Sequence, residues 1–141
     1  MRRRLKDERS SVTHKFTIGS EKGYVIVGLY EDGRPGEVFV RMAKEGSTLG
    51  CLLDQWAIAV SIGLQTGVSL GTFVDKHSHC RFEPSGPTGN PDIRIAKSPI
   101  DYIARWLGMR FKDHLEPPDG YEEVLDDHRP IAVVKWTKEA L

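Results

Sequence analysis

Residues 24–50 read YVIVGLYEDGRPGEVFVRMAKEGSTLG, and this stretch decides the fold. Tyr24–Tyr30 and Glu37–Met42 are rich in β-branched and aromatic side chains, which suit a pleated, half-buried surface. Between them, Asp32-Gly33 and Pro35-Gly36 supply turn residues, so the two runs predict an antiparallel hairpin. Upstream, Phe16 and Ile18 alternate with His14, Lys15 and Thr17, which adds a third strand to the meander. Downstream, Lys44-Glu45-Gly46 ends the last strand. Ser47 is placed to cap a long helix reaching about Thr66, with Gly67 as its stop. Its apolar residues Leu49, Leu52, Leu53, Trp56, Val60 and Leu64 recur at helical spacing. Ala57, Ile58, Ala59 and Ile62 carry that character round the sides, which predicts burial on more than one face.

A short helix is expected over Leu70–Lys76. Residues 83–92 hold three prolines and two glycines and read as a loop. Ser98 then caps a second clear helix, with Pro99 at its first position and Asp101 in the first turn. Ile100, Ile103, Ala104 and Leu107 form its core stripe, and Gly108 marks its stop unless Met109-Arg110-Phe111 continue the turn. After Phe111 the composition changes. Glu116–Gly120 is a linker, Tyr121–Asp127 is acidic, and Ile131–Trp136 reads as one more strand. The expected class is therefore α+β: a three-stranded antiparallel meander packed by a long buried helix and a second, C-terminal helix. It divides into a basic leader (1–11), a compact domain (12–111) and an acidic linker and tail (112–141).

Composition bounds the function. The chain has 141 residues, 39% hydrophobic and 28% charged, with 20 basic and 20 acidic side chains. That suits one folded domain and excludes global disorder. No run of about 18 apolar residues spans a membrane, and no apolar stretch follows the basic start, so a cytoplasmic protein is expected. Cys51 and Cys80 lie far apart, with neither a disulfide framework nor a zinc ribbon written in. A pI near 7.0 excludes a strongly basic nucleic-acid binder, so no direct DNA binding is expected. The charge is unevenly spread. Residues 2–9 carry five basic side chains against two acids, while 113–127 carry seven acids and no Lys or Arg. Such ends are either solvated or dock electrostatically, on a partner or on each other.

Two segments carry a family resemblance. Residues 24–50, quoted above, and RFEPSGPTGNPDIRIAKSPIDYIARWLG (81–108) resemble the C-terminal, or TSCPD, domain of adenosylcobalamin-dependent (class II) ribonucleotide reductases. The lead-in RRRLKDERSSVTHKF (2–16) resembles the segment that joins this module to the reductase body. In that family the chemistry belongs to a large α/β barrel with a radical-forming cysteine, a reducing cysteine pair and the cobalamin site. A mobile pair of tail cysteines passes on electrons from thioredoxin. None of these is placed in this sequence. The resemblance therefore implies an accessory, non-catalytic module supporting deoxyribonucleotide synthesis by docking on a catalytic barrel subunit. Adenosylcobalamin is expected only on that partner. Two alternatives stay open: a small-ligand or nucleotide-binding regulatory module, and a homo-oligomeric structural module. In the last, a second copy or the Ile131–Trp136 strand covers a sheet edge.

Several constellations are candidates for binding. Lys44, Ser47 and Thr48 lead into a helix N-terminus, which is either an ordinary cap or an anion site. Cys51 in the first turn reads as a small packed core residue rather than a reactive thiol. His77, His79 and Cys80 are weak metal candidates, since no second cluster completes four ligands. The family resemblance also speaks against a metal there, because the family carries large apolar residues at the positions of His77 and Cys80. The loop presents Arg81, Glu83, Ser85, Thr88 and Asn90, with Lys97 at the next helix start. These are either ligand- or partner-binding groups or, for Arg81 and Glu83, an internal salt bridge. No catalytic residues are assigned: there is no GxSxG elbow, and five scattered histidines assemble nothing.

Overall fold

The turn residues at 31–36 close a hairpin where the sequence places it. A computed structural model describes residues 2–125 and 132–136. Strands β1 (Ser11–Ile18), β2 (Glu21–Leu29) and β3 (Pro35–Met42) form one antiparallel sheet in the order β1-β2-β3. The register sets Phe16 against Gly23, Val25 against Val40 and Ile26 against Phe39. Because successive side chains alternate, Phe16, Ile18, Val25, Val27, Val38, Val40 and Met42 share the buried face. Thr13, Lys15, Thr17, Tyr24, Ile26, Phe39 and Arg41 share the other. Gly23 is required by close approach: a Cβ there would stand 2.6 Å from Phe16 Cζ.

Helix α1 (Thr48–Gln65) starts where Ser47 Oγ accepts a hydrogen bond from the Gly50 amide at 3.1 Å. It buries one stripe, Leu53, Ala57, Val60 and Leu64. The expected burial on more than one face does not hold, since Leu52, Ile58 and Ile62 are 62%, 48% and 42% exposed. The reason is placement. The helix lies beside the outer edge of β3, where the Ser61 hydroxyl accepts from the Val38 amide (2.8 Å) and donates to the Val38 carbonyl (3.2 Å). No element of the described fold covers its outer flank. Cys51 falls on that open side and is exposed, so it is not the core residue that the sequence suggested.

Helices α2 (Leu70–His77) and α3 (Pro99–Arg110) pack on each other, and α3 also meets the buried face of the sheet through Tyr102 and Trp106. Ser98 caps α3 as expected. The helix runs through Gly108, whose bare Cα faces Val74 of α2: a Cβ would sit 2.9 Å from Val74 Cγ1. Within the proline-rich loop, β4 (Gly86–Pro87) pairs with β5 (Ile95–Ala96). Packing continues past Phe111 to Leu115, whose carbonyl accepts from the Gly71 amide at 2.9 Å. Beyond it, β6 (Tyr121–Leu125) pairs with β7 (Ala132–Trp136) in a separate two-stranded sheet, so the expected last strand does not cover the meander's edge. Asp126, Asp127 and Ile131 lie outside the described residues.

The basic leader lies along the body. The Arg3 amide donates to the Gln65 carbonyl at 2.7 Å, the Arg3 guanidinium stands 4.4 Å over the Tyr30 ring, and Arg9 pairs with the buried Glu37 at 2.5 Å. Its cations thus meet Glu31 and Glu37 of the hairpin rather than, among the described residues, the acidic end. No helix of the described residues is long and apolar enough to cross a membrane.

Candidate functional site

The loop between α2 and α3 is held by a side chain that the sequence showed only as a helix-start residue. Asp101 is fully buried. Its carboxylate accepts from the backbone amides of His79 (2.6 Å) and Lys97 (2.8 Å), one at each end of the loop. It also accepts from Arg105 at 3.0 and 2.8 Å, and Arg105 in turn donates to the Ile95 carbonyl at 2.6 Å. Burial alone would raise its pKa. The hydrogen bonds from Arg105, Lys97 and His79 outweigh burial and hold the carboxyl below its ordinary value.

The predicted loop residues divide into two groups. Thr88 and Asn90 turn inward. Thr88 Oγ1 donates to the Ile93 carbonyl and accepts from the Asn90 amide, while Asn90 Oδ1 accepts from the Asp92 amide at 3.0 Å. Arg81, Glu83 and Ser85 are exposed, and Arg81 and Glu83 form no ion pair with each other. The internal salt bridge is therefore replaced by the Asp101–Arg105 pair. Lys97 contributes its backbone, donating to Asp101 and accepting from the Phe82 amide at 3.2 Å.

Asn90 also reaches a buried aromatic cluster that sequence reasoning missed. Its Nδ2 donates to the Tyr102 hydroxyl at 3.1 Å, and that hydroxyl lies 2.9 Å from His14 Nε2. With Asn90 donating, the hydroxyl proton is directed at the imidazole, which suits a neutral ring. Burial lowers the pKa of His14 and raises that of Tyr102, in the same sense. The His14 ring stacks on Trp106 with centroids 4.6 Å apart. The partners are 88 and 12 residues from Tyr102, and no local spacing announces them.

The remaining candidates are separated. Lys44 and Thr48 are exposed beside the Ser47 cap, and Lys44 lines a groove of 620 Å³ with Lys22, Tyr24, Arg41 and Cys51. Residues 89–91 line a different groove of 390 Å³ beside His14 and Tyr102. The structure does not bring the two groups to one cavity. His77, His79 and Cys80 also diverge. The His77 ring stacks on Phe73 and meets Trp56 edge-on, and burial lowers its pKa. His79 turns to Asp101 with φ of 69°, and Cys80 Sγ lies 3.2 Å from Ser98 Oγ. Among the described residues no group of three His, Cys, Asp or Glu side chains is placed to hold a metal ion. Among the described residues the buried Trp56 indole N–H has no hydrogen-bond acceptor.

Comparison with known proteins places this geometry. The TSCPD domain family matches residues 2–111. The chain belongs to that family. It is 61% identical over 110 residues to a vitamin B12-dependent ribonucleotide reductase of Rhodopirellula baltica, covering 78% of this chain and 11% of the reductase. It is 48% identical over 111 residues to the enzyme of that name from Streptomyces avermitilis (79% of this chain, 12% of the relative). With the enzyme of that name from Bradyrhizobium diazoefficiens it is 40% identical over 130 residues (88% and 10%). The TSCPD chain thus spans about a tenth of the length of the curated relatives it matches, and corresponds to their C-terminal domain. No solved structure matches it. Of the cavities, the one between Arg3, Tyr30 and Tyr121 holds 50 Å³, room for little more than water, and the larger grooves are open.

Proposed function

We propose that this chain is a non-catalytic accessory module of a vitamin B12-dependent ribonucleotide reductase. It acts in the cytoplasm and supports deoxyribonucleotide synthesis by docking on the catalytic subunit, which carries adenosylcobalamin. One observation carries the reading: 61% identity runs along 110 residues of a reductase while those residues make up 11% of that enzyme. The geometry supports it. Ser47, Thr88, Asn90 and Lys97 serve as caps and braces, and the titratable groups Asp101 and His14 are engaged in holding elements together. Such a domain offers surfaces rather than an assembled reaction centre.

The test is to titrate the purified chain into the catalytic subunit by calorimetry and to follow cobalamin-dependent nucleotide reduction in the same samples. Saturable binding with a change in turnover is expected. Absence of both would overturn the proposal.

A further inference from the structure

We infer that the open face of the β1–β3 sheet, together with the side of α1 that carries Ile58 and Ile62, is the surface that docks on the catalytic subunit. This rests on the function proposed above and names the site through which it is exercised. The face departs from what a one-sided sheet needs. An antiparallel sheet with one face on the core shows polar side chains on the other. Here Tyr24 and Phe39 are 42% and 40% exposed on adjacent strands, with half-buried Ile26 between them. The apolar strip does not stop at the sheet. Phe39, Ile58, Ile62 and Leu5 line one groove of 540 Å³ that joins β3 to α1. Single exposed apolar residues are ordinary, whereas a contiguous strip across two elements marks an interaction surface.

Charge selects the occupant. Asp54 is paired with Arg41 and Glu37 with Arg9, so those carboxylates are already compensated. Among the described residues the groove-lining cations Arg4, Lys22 and Lys44, and Lys15 on the same sheet face, make no ion pair, and the uncompensated carboxylates lining the two grooves are Asp7 and Glu45. The rim is therefore positive. Two copies meeting through this face would set cation against cation, which disfavours a symmetric dimer. The complementary occupant is a protein surface with an apolar centre and an acidic rim. A nucleic-acid strand would use the two aromatics and the cations but leave the aliphatic row Ile26, Ile58 and Ile62 unused.

The test uses the full chain and the catalytic subunit. Phe39→Asp and Ile62→Asp are each expected to weaken binding roughly 30-fold, the effect of losing an interface anchor. The double variant Lys15→Glu/Lys22→Glu should weaken it too, and should flatten its dependence on salt. Leu52→Asp, at an exposed apolar site of α1 that lines neither groove, should bind as the wild type does. Thermal midpoints show which variants fold, and the Lys variants decide the matter if the apolar ones do not. If the wild type binds and every variant binds equally, the face is wrong while the docking function stands. If the wild type does not bind, both fall. A dimer of the chain that Phe39→Asp dissociates, or oligonucleotide binding that it abolishes, would also overturn the assignment.

Discussion

Replacing Asp101 by Ala should produce the largest single loss of stability in the loop region. The carboxylate is fully buried and serves three donors: the His79 amide, the Lys97 amide and the Arg105 guanidinium. Its removal strands two backbone N–H groups whose charge-assisted hydrogen bonds are worth about 1.5 kcal/mol each. Arg105 is 22% exposed and can turn toward water, so its share is smaller, about 1 kcal/mol. The expected loss is about 4 kcal/mol, within the range for breaking a buried ion pair. Asn at 101 keeps the volume and one acceptor oxygen but points an amide at a donor, so about half the loss is expected. Urea unfolding followed by tryptophan fluorescence measures both. Because the folded pKa lies below the ordinary 3.8, the contribution is complete above that value and is lost as pH falls through the folded pKa. The Asp101→Asn deficit should therefore persist at pH 5 and shrink in strong acid. An Asp101→Ala protein within about 1 kcal/mol of the wild type would show that the loop is not held as described.

Three further outcomes are expected. Burial lowers the pKa of both His14 and His77 from 6.5, so the unfolded chain takes up protons first. Stability should be complete above that value and decline as pH falls below it, and His14→Gln should reduce the slope in a pH series of urea midpoints. Gly23→Ala would press a methyl to 2.6 Å from Phe16 Cζ, whose ring stacks on Tyr102, and should destabilise by about 2 kcal/mol. Adding Phe16→Leu should recover part of that loss. Finally, a thiol reagent on the native protein should modify exposed Cys51 quickly and half-buried Cys80 slowly, with Cys51→Ser removing the fast phase.

What the sequence made legible was local. The hairpin could be read because two β-rich runs and the turn chemistry between them lie within twenty residues, and Ser47 and Ser98 cap their helices within one turn. Burial on a second side of α1 could not be read, since periodicity shows which residues are apolar but not which flanks acquire neighbours. Gly63 meets Phe73 of α2 on one flank, while Ile62 on the other is left 42% exposed beside an open groove. Cys51 was legible and was misread: two residues from Leu53 is about 200° round the helix, away from the core stripe. Asp101 announced itself as a first-turn acid, a good partner for the helix dipole. That both ends of a loop nearly twenty residues long return to it is a tertiary fact. The same holds for His14, which meets Tyr102 across 88 residues.

The stretch that decides the fold also carries the signal for the open face. A strand buried on one side needs apolar residues at every second position only. Tyr24-Val25-Ile26-Val27 fills both sets, and Val38-Phe39-Val40 does so again on the paired strand. On β1 the outward positions are Thr13, Lys15 and Thr17, so the polar alternative was open to this sheet and was taken where the apolar strip ends. Exposing Tyr24, Ile26 and Phe39 brings no folding stability and invites association, which Lys15 and Lys22 on the same face oppose by charge. A sheet that retains both an apolar outer strip and the cations that discourage nonspecific pairing is arranged for contact with one kind of surface, apolar at its centre and acidic at its rim.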